Sequence, residues 1–256
     1  MTLTLPSTLT PSKLGRFVSC PLAFRYSYIE HLPEPPSIYQ LRGTLLHRAL
    51  QLLFEERSSE RTMVAASSAL ARATGELGEE IEGLELGATD LAAFHREAGV
   101  LLEHYFALED PTGVQPVGLE LDLRANFEGI ELRGIIDRLD RLADGRFVVV
   151  DYKTGRSPRP EQSRSRLVGV QFYAFLCEQT LGIRPSEVRL MYLKDQVVVV
   201  ESPTDQSMRG LTQRARAVWT AIERACTADD FRPNPSPLCN YCAFQDFCPA
   251  YAAASA

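Results

Sequence analysis

Between Gly134 and Gly155 the chain alternates apolar and other positions with a period of two, and acids interrupt the apolar faces. The stretch reads GIIDRLDRLADGRFVVVDYKTG. Two strands are predicted, joined by a tight turn at Asp144-Gly145, where both residues tolerate positive φ. In the second strand Phe147, Val149, Asp151 and Lys153 share one face, and Val148, Val150 and Tyr152 share the other. Both faces are largely apolar, which predicts a central strand buried on both sides. In the first strand Ile135, Asp137 and Leu139 share a face, while Arg138 and Asp140 point the opposite way. Asp137 and Asp151 thus sit on apolar faces, where a carboxylate is costly without a cation. Two carboxylates and a lysine at the end of a hairpin point to a divalent-metal site.

Elsewhere the period is mostly helical. Thr10 and Pro11 mark an N-cap and a first turn, and Cys20-Pro21 marks a break. Phe24, Tyr26 and Tyr28 read as core packing. Pro33 to Ser37 is a linker, and a helix follows over about 39–57. His47, Leu50 and Phe54 fall at i, i+3 and i+7, which sets the imidazole beside an apolar stripe. With the acids of the hairpin, His47 becomes a candidate ligand. Residues 58–108 read as two further helices with a break at 83–87, and their glutamates from Glu76 to Glu85 read as a solvated face. His95 and His104 read as structural. From Val117 to Tyr152 the pattern is a β-meander. In it Leu119, Leu121 and Leu123 alternate with Glu120, Asp122 and Arg124, so Glu120 is expected at the surface. A helix over about 167–181, a hairpin over 188–201 and a helix over about 205–227 complete the pattern.

Composition narrows the chemistry. The 256 residues are 45% apolar, enough for a substantial core, and the formal charge is −6. A whole-chain basic footprint for nucleic acid is absent, so contact with DNA must come from local patches. No apolar run approaches a membrane span and no secretory signal appears, which predicts a cytoplasmic protein that makes no membrane contact. The basic residues are 24 arginines and three lysines, Lys13, Lys153 and Lys194. A lysine two residues after Asp151 is therefore conspicuous, and its compact ammonium suits a water or a phosphate oxygen. The loop after Gly155 carries Arg156, Arg159, Arg164 and Arg166, candidate phosphate contacts together with Arg25 and Arg42.

The C-terminal segment carries Cys239, Cys242 and Cys248 within ten residues. In a cytoplasmic protein such spacing marks a metal or cluster site, and zinc and iron–sulfur both accept four thiolates. Cys177 reads as core and Cys226 ends a helix. Cys20, at a helix break, is taken as the fourth ligand. A cross-link from Cys20 to Cys239 would constrain the unfolded chain by roughly 5 kcal/mol.

Four pieces together resemble the RecB-type branch of the PD-(D/E)XK nucleases, which includes AddB-like enzymes and the nucleases of CRISPR spacer acquisition. They are RGTLLHRAL with His47, GIIDRLD with Asp137, DYKTG with Asp151 and Lys153, and the cysteine set. The resemblance implies an α/β (α+β) restriction-endonuclease-like core with a mixed central sheet flanked by helices. It covers 1–256 as one nuclease domain: N-terminal helices (1–57), a helical insert (58–110), a catalytic core (111–202) and a C-terminal iron–sulfur staple (203–256). It further implies a 4Fe–4S cluster on Cys20, Cys239, Cys242 and Cys248, and Mg2+ or Mn2+ on His47, Asp137, Asp151 and the Tyr152 backbone carbonyl. Lys153 completes the catalytic set with His47, Asp137 and Asp151. The family carries a Gln four residues before a Tyr. Tyr173 fits that Tyr, Gly169 stands at the Gln position, and Gln171 is the nearest substitute. The implied activity is hydrolysis of single-stranded or end-bearing DNA in repair or recombination. A CRISPR-adaptation role and a non-catalytic scaffold are the alternatives. No P-loop is present, so a helicase partner must be a separate chain.

Overall fold

The computed structural model describes residues 3–157 and 163–254, with backbone alone for 163–168 and 252–254. The Thr10 hydroxyl accepts the Lys13 backbone N–H, Pro11 sits in the first turn, and helix α1 covers Pro11–Ser19. Proline costs nothing there, because that turn has no partner for its N–H. Cys20 is extended, and α2 (Pro21–Tyr28) starts beyond it. The chain forms two compact units. One comprises Pro36–Leu123 and Ile135–Thr204, and the other Met1–Pro35, Arg124–Gly134 and Asp205–Ala256.

The first of these begins with α3 (Ile38–Glu55), α4 (Met63–Glu76), a short α5 (Gly78–Glu82) and α6 (Ala88–Leu108). Then come β1 (Pro116–Phe127), β2 (Ile130–Arg141), β3 (Phe147–Lys153), α7 (Ser163–Leu181), β4 (Glu187–Tyr192) and β5 (Val197–Glu201). The sheet order is β1-β2-β3-β4-β5, so β3 is central. Residues 148–152 are buried, as the two apolar faces require. β2 and β3 are antiparallel, β3 and β4 parallel, and β4 and β5 antiparallel. Parallel pairing demands a crossover, which α7 supplies. The expected mixed sheet with flanking helices is therefore the fold.

Val148, Val150 and Tyr152 pack with Leu46, Leu50 and Leu53 of α3 and with Leu101, Leu102 and Tyr105 of α6. Another side of α3 places Leu45, Ala49 and Leu52 against Ala69 and Ala73 of α4 and Phe94 and Ala98 of α6. Each such leucine contributes about 1.5–3 kcal/mol by leaving water, which fixes α3, and His47 with it, against the sheet.

Two local features depart from the sequence pattern. The β2–β3 connection is a three-residue loop, not a two-residue turn. Leu142 N–H donates to the Arg146 carbonyl (2.8 Å) and Gly145 N–H to the Leu142 carbonyl (2.9 Å). Only Gly145, at φ +87°, takes the left-handed position that such a loop demands. Ile135, expected on an apolar face with Asp137, is 44% exposed.

The other unit holds α1, α2, the far end of the β1–β2 hairpin, α8 (Asp205–Ala228) and α9 (Pro249–Ala254). Leu9 N–H donates to the Glu131 carbonyl (2.8 Å) and Arg133 N–H to the Leu9 carbonyl (3.0 Å), so the N-terminal segment lies along β2. α8 buries Met208, Leu211, Ala215, Val218 and Ile222 on one side. No described helix is long and apolar enough to cross a membrane.

Candidate active site and cysteine cluster

Strand parity and one helix turn assemble the acidic site. β2 brings Asp137, β3 brings Asp151 and Lys153, and α3 brings His47. His47 Nδ1 lies 3.4 Å from Asp137 Oδ1. Its Nε2 is 3.0 Å from the Tyr152 carbonyl and donates to it. The other Asp137 oxygen accepts the Tyr152 backbone N–H at 2.7 Å. Both peptide groups of Tyr152 are thus engaged, and its carbonyl keeps one lone pair. Lys153 Nζ is ion-paired with Asp151 Oδ2. Tyr173, on α7, hydrogen-bonds Asp151 through its hydroxyl. The structure therefore joins His47, Asp137, Asp151, Lys153, Tyr152 and Tyr173 in one place. Gln171 is half-buried on α7.

Glu120 joins them, against the surface position expected of it. Ligand atoms of His47, Glu120 and Asp137 all lie within 4.8 Å of one another. Glu120 has φ +47°, a left-handed kink inside β1 that breaks the period of two. The Leu121 side chain folds over Gly118, where an added Cβ would fall 2.7 Å from Leu121 Cγ. A glycine inside a strand pattern is the one available sign of such a bulge.

The electrostatics are those of a site short of positive charge. Burial, reinforced by Asp137 and Asp151, pushes the Glu120 carboxyl up to about 7. Burial also raises Asp151, and Lys153 only partly offsets it. Burial would depress the His47 imidazole, yet Asp137 and Asp151 outweigh it and raise it to about 9. Burial works against charged Lys153 too, but Asp151 more than compensates and raises it, so the ammonium persists at neutral pH. Three carboxylates and one imidazole around one volume are the donor set of a hard divalent cation.

On the opposite face of β2 and β3 lies a second charged cluster. Arg138 is fully buried. Its Nε donates to Asp140 (3.0 Å), Nη1 to the Tyr152 hydroxyl (2.7 Å) and Nη2 to Glu109 (2.8 Å), and it stacks 4.3 Å from the Phe54 ring centroid. Asp140 faces away from the acidic site, as its parity requires, but into a buried ion network.

The candidate phosphate contacts divide. Arg25 is paired with Glu30 (2.5 Å) and Asp229 (2.8 Å). Arg42 is 7% exposed, paired with Glu97 and stacked on Tyr39, so it is committed within the fold rather than presented to DNA. Arg156 is exposed beside Asp195. Arg159 and the side chains of Arg164 and Arg166 lie outside the described residues.

In the other unit Cys20, Cys239, Cys242 and Cys248 line one cavity of about 440 Å³. All four are half-buried free thiols, while Cys177 and Cys226 are buried. Ser236 N–H donates to Cys239 Sγ (3.3 Å) and Gln245 Nε2 to the Cys239 carbonyl (2.7 Å). The Tyr26 hydroxyl donates to the Phe247 carbonyl (2.9 Å) and Asn234 Nδ2 to the Ser19 carbonyl (2.9 Å). These bonds tie the two cysteine-bearing segments together. Among the described residues no three cysteine sulfurs lie within 4.8 Å of one another.

A sequence model of the PD-(D/E)XK nuclease superfamily matches residues 8–249. The chain is 24% identical to the gene 69 protein of Mycobacterium phage D29 over 94% of its own length and 96% of the phage protein's. It is 28% identical, over 58% of its length, to a subunit of the ATP-dependent helicase/deoxyribonuclease of Streptococcus equi subsp. zooepidemicus, of which it spans 14%. The fold is similar to that of a protein from Eubacterium rectale assigned as an exonuclease. That likeness has TM-score 0.58 and 12% identity, and covers 92% of this chain and 87% of that one.

Proposed function

The chain belongs to the PD-(D/E)XK nuclease superfamily, and on that premise we propose that its acidic site hydrolyses phosphodiester bonds in DNA with Mg2+ or Mn2+. The observation that carries this reading is the convergence of His47, Glu120 and Asp137, with Asp151 and Lys153 beside them. His47, Glu120, Asp137, Asp151 and the remaining lone pair of the Tyr152 carbonyl would hold the ion. Bound there, the ion supplies Lewis acidity toward the scissile phosphate and the attacking water. The Tyr152 peptide fixes one Asp137 oxygen and one His47 nitrogen, leaving Nδ1 of the neutral imidazole as a donor. Lys153 stays protonated, so it acts as a charge that orients water and offsets negative charge building on phosphorus. Tyr173 holds Asp151 in place from α7.

Single-stranded or end-bearing DNA is the proposed substrate, degraded from an end, in repair or recombination. The relative named as a helicase/deoxyribonuclease subunit supports a separate helicase as partner. The test is release of nucleotides from end-labelled single strands with Mn2+, using 5′-blocked and 3′-blocked substrates to read polarity. Asp151→Ala and Asp137→Ala should abolish release. Degradation by Asp151→Ala at the wild-type rate overturns the proposal.

For the four-cysteine cavity the proposal is a 4Fe–4S cluster on Cys20, Cys239, Cys242 and Cys248, supported by their lining one cavity and by the spacing of the cysteine set. The cluster would act as a staple between the N- and C-terminal segments. Anaerobically purified protein should be brown and carry iron and sulfide. Colourless protein with stoichiometric zinc refutes the cluster.

A further inference from the structure

A cavity of about 700 Å³, in the unit that holds the cysteines, belongs to neither site. Its floor is apolar: Phe17 and Pro21 from α1 and α2, and Ala217, Ala221 and Ala225 from α8. Alanine at these positions leaves open the space that longer side chains would fill. Its rim carries Arg216, Arg224 and Arg232. Arg209, Gln213, Arg216, Thr220 and Arg224 fall at i, i+4, i+7, i+11 and i+15 of α8. At 3.6 residues per turn they occupy an arc of about 80°, roughly 22 Å long. The buried side of the helix, from Met208 to Cys226, lies away from this row.

The row is open to a ligand. Arg209, Arg216 and Arg224 are exposed, and Arg209 and Arg224 have no ion-pair partner among the described residues. Two of the guanidiniums are ion-paired. Glu128 pairs with Arg216, and Asp230 pairs with Arg232 at 3.0 Å. The pairing side chains are at least half exposed, so a phosphate displaces such pairs at little cost. The chain as a whole is acidic, whereas this row carries three guanidiniums, with Arg232 a fourth at the rim and the exposed Asp205 and Glu223 along the row's edge.

We propose that this groove binds a strand of DNA by its phosphate backbone, as a non-catalytic contact separate from the acidic site. Guanidinium forks match phosphate oxygens in pairs, which suits a rim whose cations are all arginines. Sugars and bases suit the apolar floor. The row spans about six or seven nucleotides at roughly 3.4 Å per step of a stacked strand. An acidic protein segment offers carboxylates but not the regular spacing or the flat apolar faces. The proposal rests on the DNA reading of the function for the identity of the polymer alone, and its test needs no hydrolysis.

The test measures fluorescence anisotropy of a labelled single-stranded 20-mer with the full chain in EDTA, over a series of salt concentrations. Arg209→Ala/Arg216→Ala/Arg224→Ala should weaken binding on the order of tenfold and flatten the slope of log K against log salt by about 2, about 0.7 for each phosphate no longer neutralised. The three positions are exposed, so thermal melting should not move. The single exchange Arg224→Glu, which breaks no ion pair, should weaken binding in the same sense. Equal affinity and equal salt slope for wild type and both variants overturn the proposal. So does competition by poly-L-glutamate as effective as by unlabelled DNA of equal charge.

Discussion

Replacing Arg138 by Met tests whether the cluster behind the acidic site is a necessity of the fold. Arg138 is the largest fully buried side chain among the described residues, and it neutralises Asp140 and Glu109 at once. Asp140 is 5% exposed, and the Glu109 side chain is 16% exposed. Methionine fills much of the volume and leaves both carboxylates without a cation. Removing one member of a buried ion pair costs about 3–5 kcal/mol, a large part of the roughly 5–15 kcal/mol that holds a domain. For a chain of this size that is a fall in melting temperature of roughly 6–20 °C, read by calorimetry or circular dichroism. The sign with pH follows from the carboxyls. Burial already raises Asp140 in the presence of Arg138. Without the guanidinium its folded value rises further above the unfolded one. The folded variant then prefers protonated acids, so its deficit shrinks as pH falls and grows as pH rises. Arg138→Met/Asp140→Asn/Glu109→Gln should recover more than half of the loss. A deficit below about 1 kcal/mol, or one that does not change between pH 5 and 8, refutes the reasoning.

Gly118→Ala places a methyl group against Leu121 and should cost roughly 1–3 kcal/mol. It should also weaken Mn2+ binding by calorimetry, because Glu120 hangs on the same bulge; unchanged affinity would show that the bulge does not place Glu120. Metal binding should release protons, since His47 titrates at about 9 when metal-free and must be neutral to ligate. Affinity should therefore climb by up to about tenfold per pH unit between pH 7 and 9, more steeply below 7 where Glu120 is protonated as well, and level off above 9; a flat profile from pH 7 to 9 counts against His47 as a ligand. Tyr173→Phe removes a hydrogen bond to a charged carboxyl, worth about 1.5–3 kcal/mol, and should slow DNA hydrolysis by tenfold or more with melting little changed. Asp137→Asn should abolish Mn2+ binding, whereas Asp140→Asn should lower the melting temperature and leave Mn2+ affinity in place.

Legibility in the sequence depends on unbroken backbone periods. Thr10, Pro11 and Cys20-Pro21 announce helix ends through local chemistry, and the structure puts them there. Alternation along 147–153 puts Asp151 and Lys153 on one face, and their ion pair agrees with it. Glu120 escapes such reading because a single left-handed residue inverts every face assignment after it. Arg138 can be assigned a face, but its partners Glu109 and Tyr105 come from α6 and the end of that helix, more than 25 residues upstream. Arg42 lies in a helix that is apolar on more than one side, so one stripe cannot say which polar residues face water.

Tyr152 shows why the two charged clusters occur on one strand. Its two peptide groups hold His47 and Asp137 on the acidic side, while its phenol takes the Arg138 donor on the other. A metal site needs Asp137 and Asp151 held on adjacent strands although each repels the other. Backbone pairing alone resists that repulsion weakly at the end of a strand, where one more pair is all that frays. Anchoring Tyr152 from behind, through an arginine that is itself fixed by two carboxylates and an aromatic ring, ties the strand end to the core. On this argument Tyr152→Phe, which keeps the ring and removes the anchor, should leave the cation-free site less ordered. Amide exchange at Asp151 and Lys153 should quicken more in Tyr152→Phe without metal than with it. Equal protection in both states would mean that the strand end holds itself.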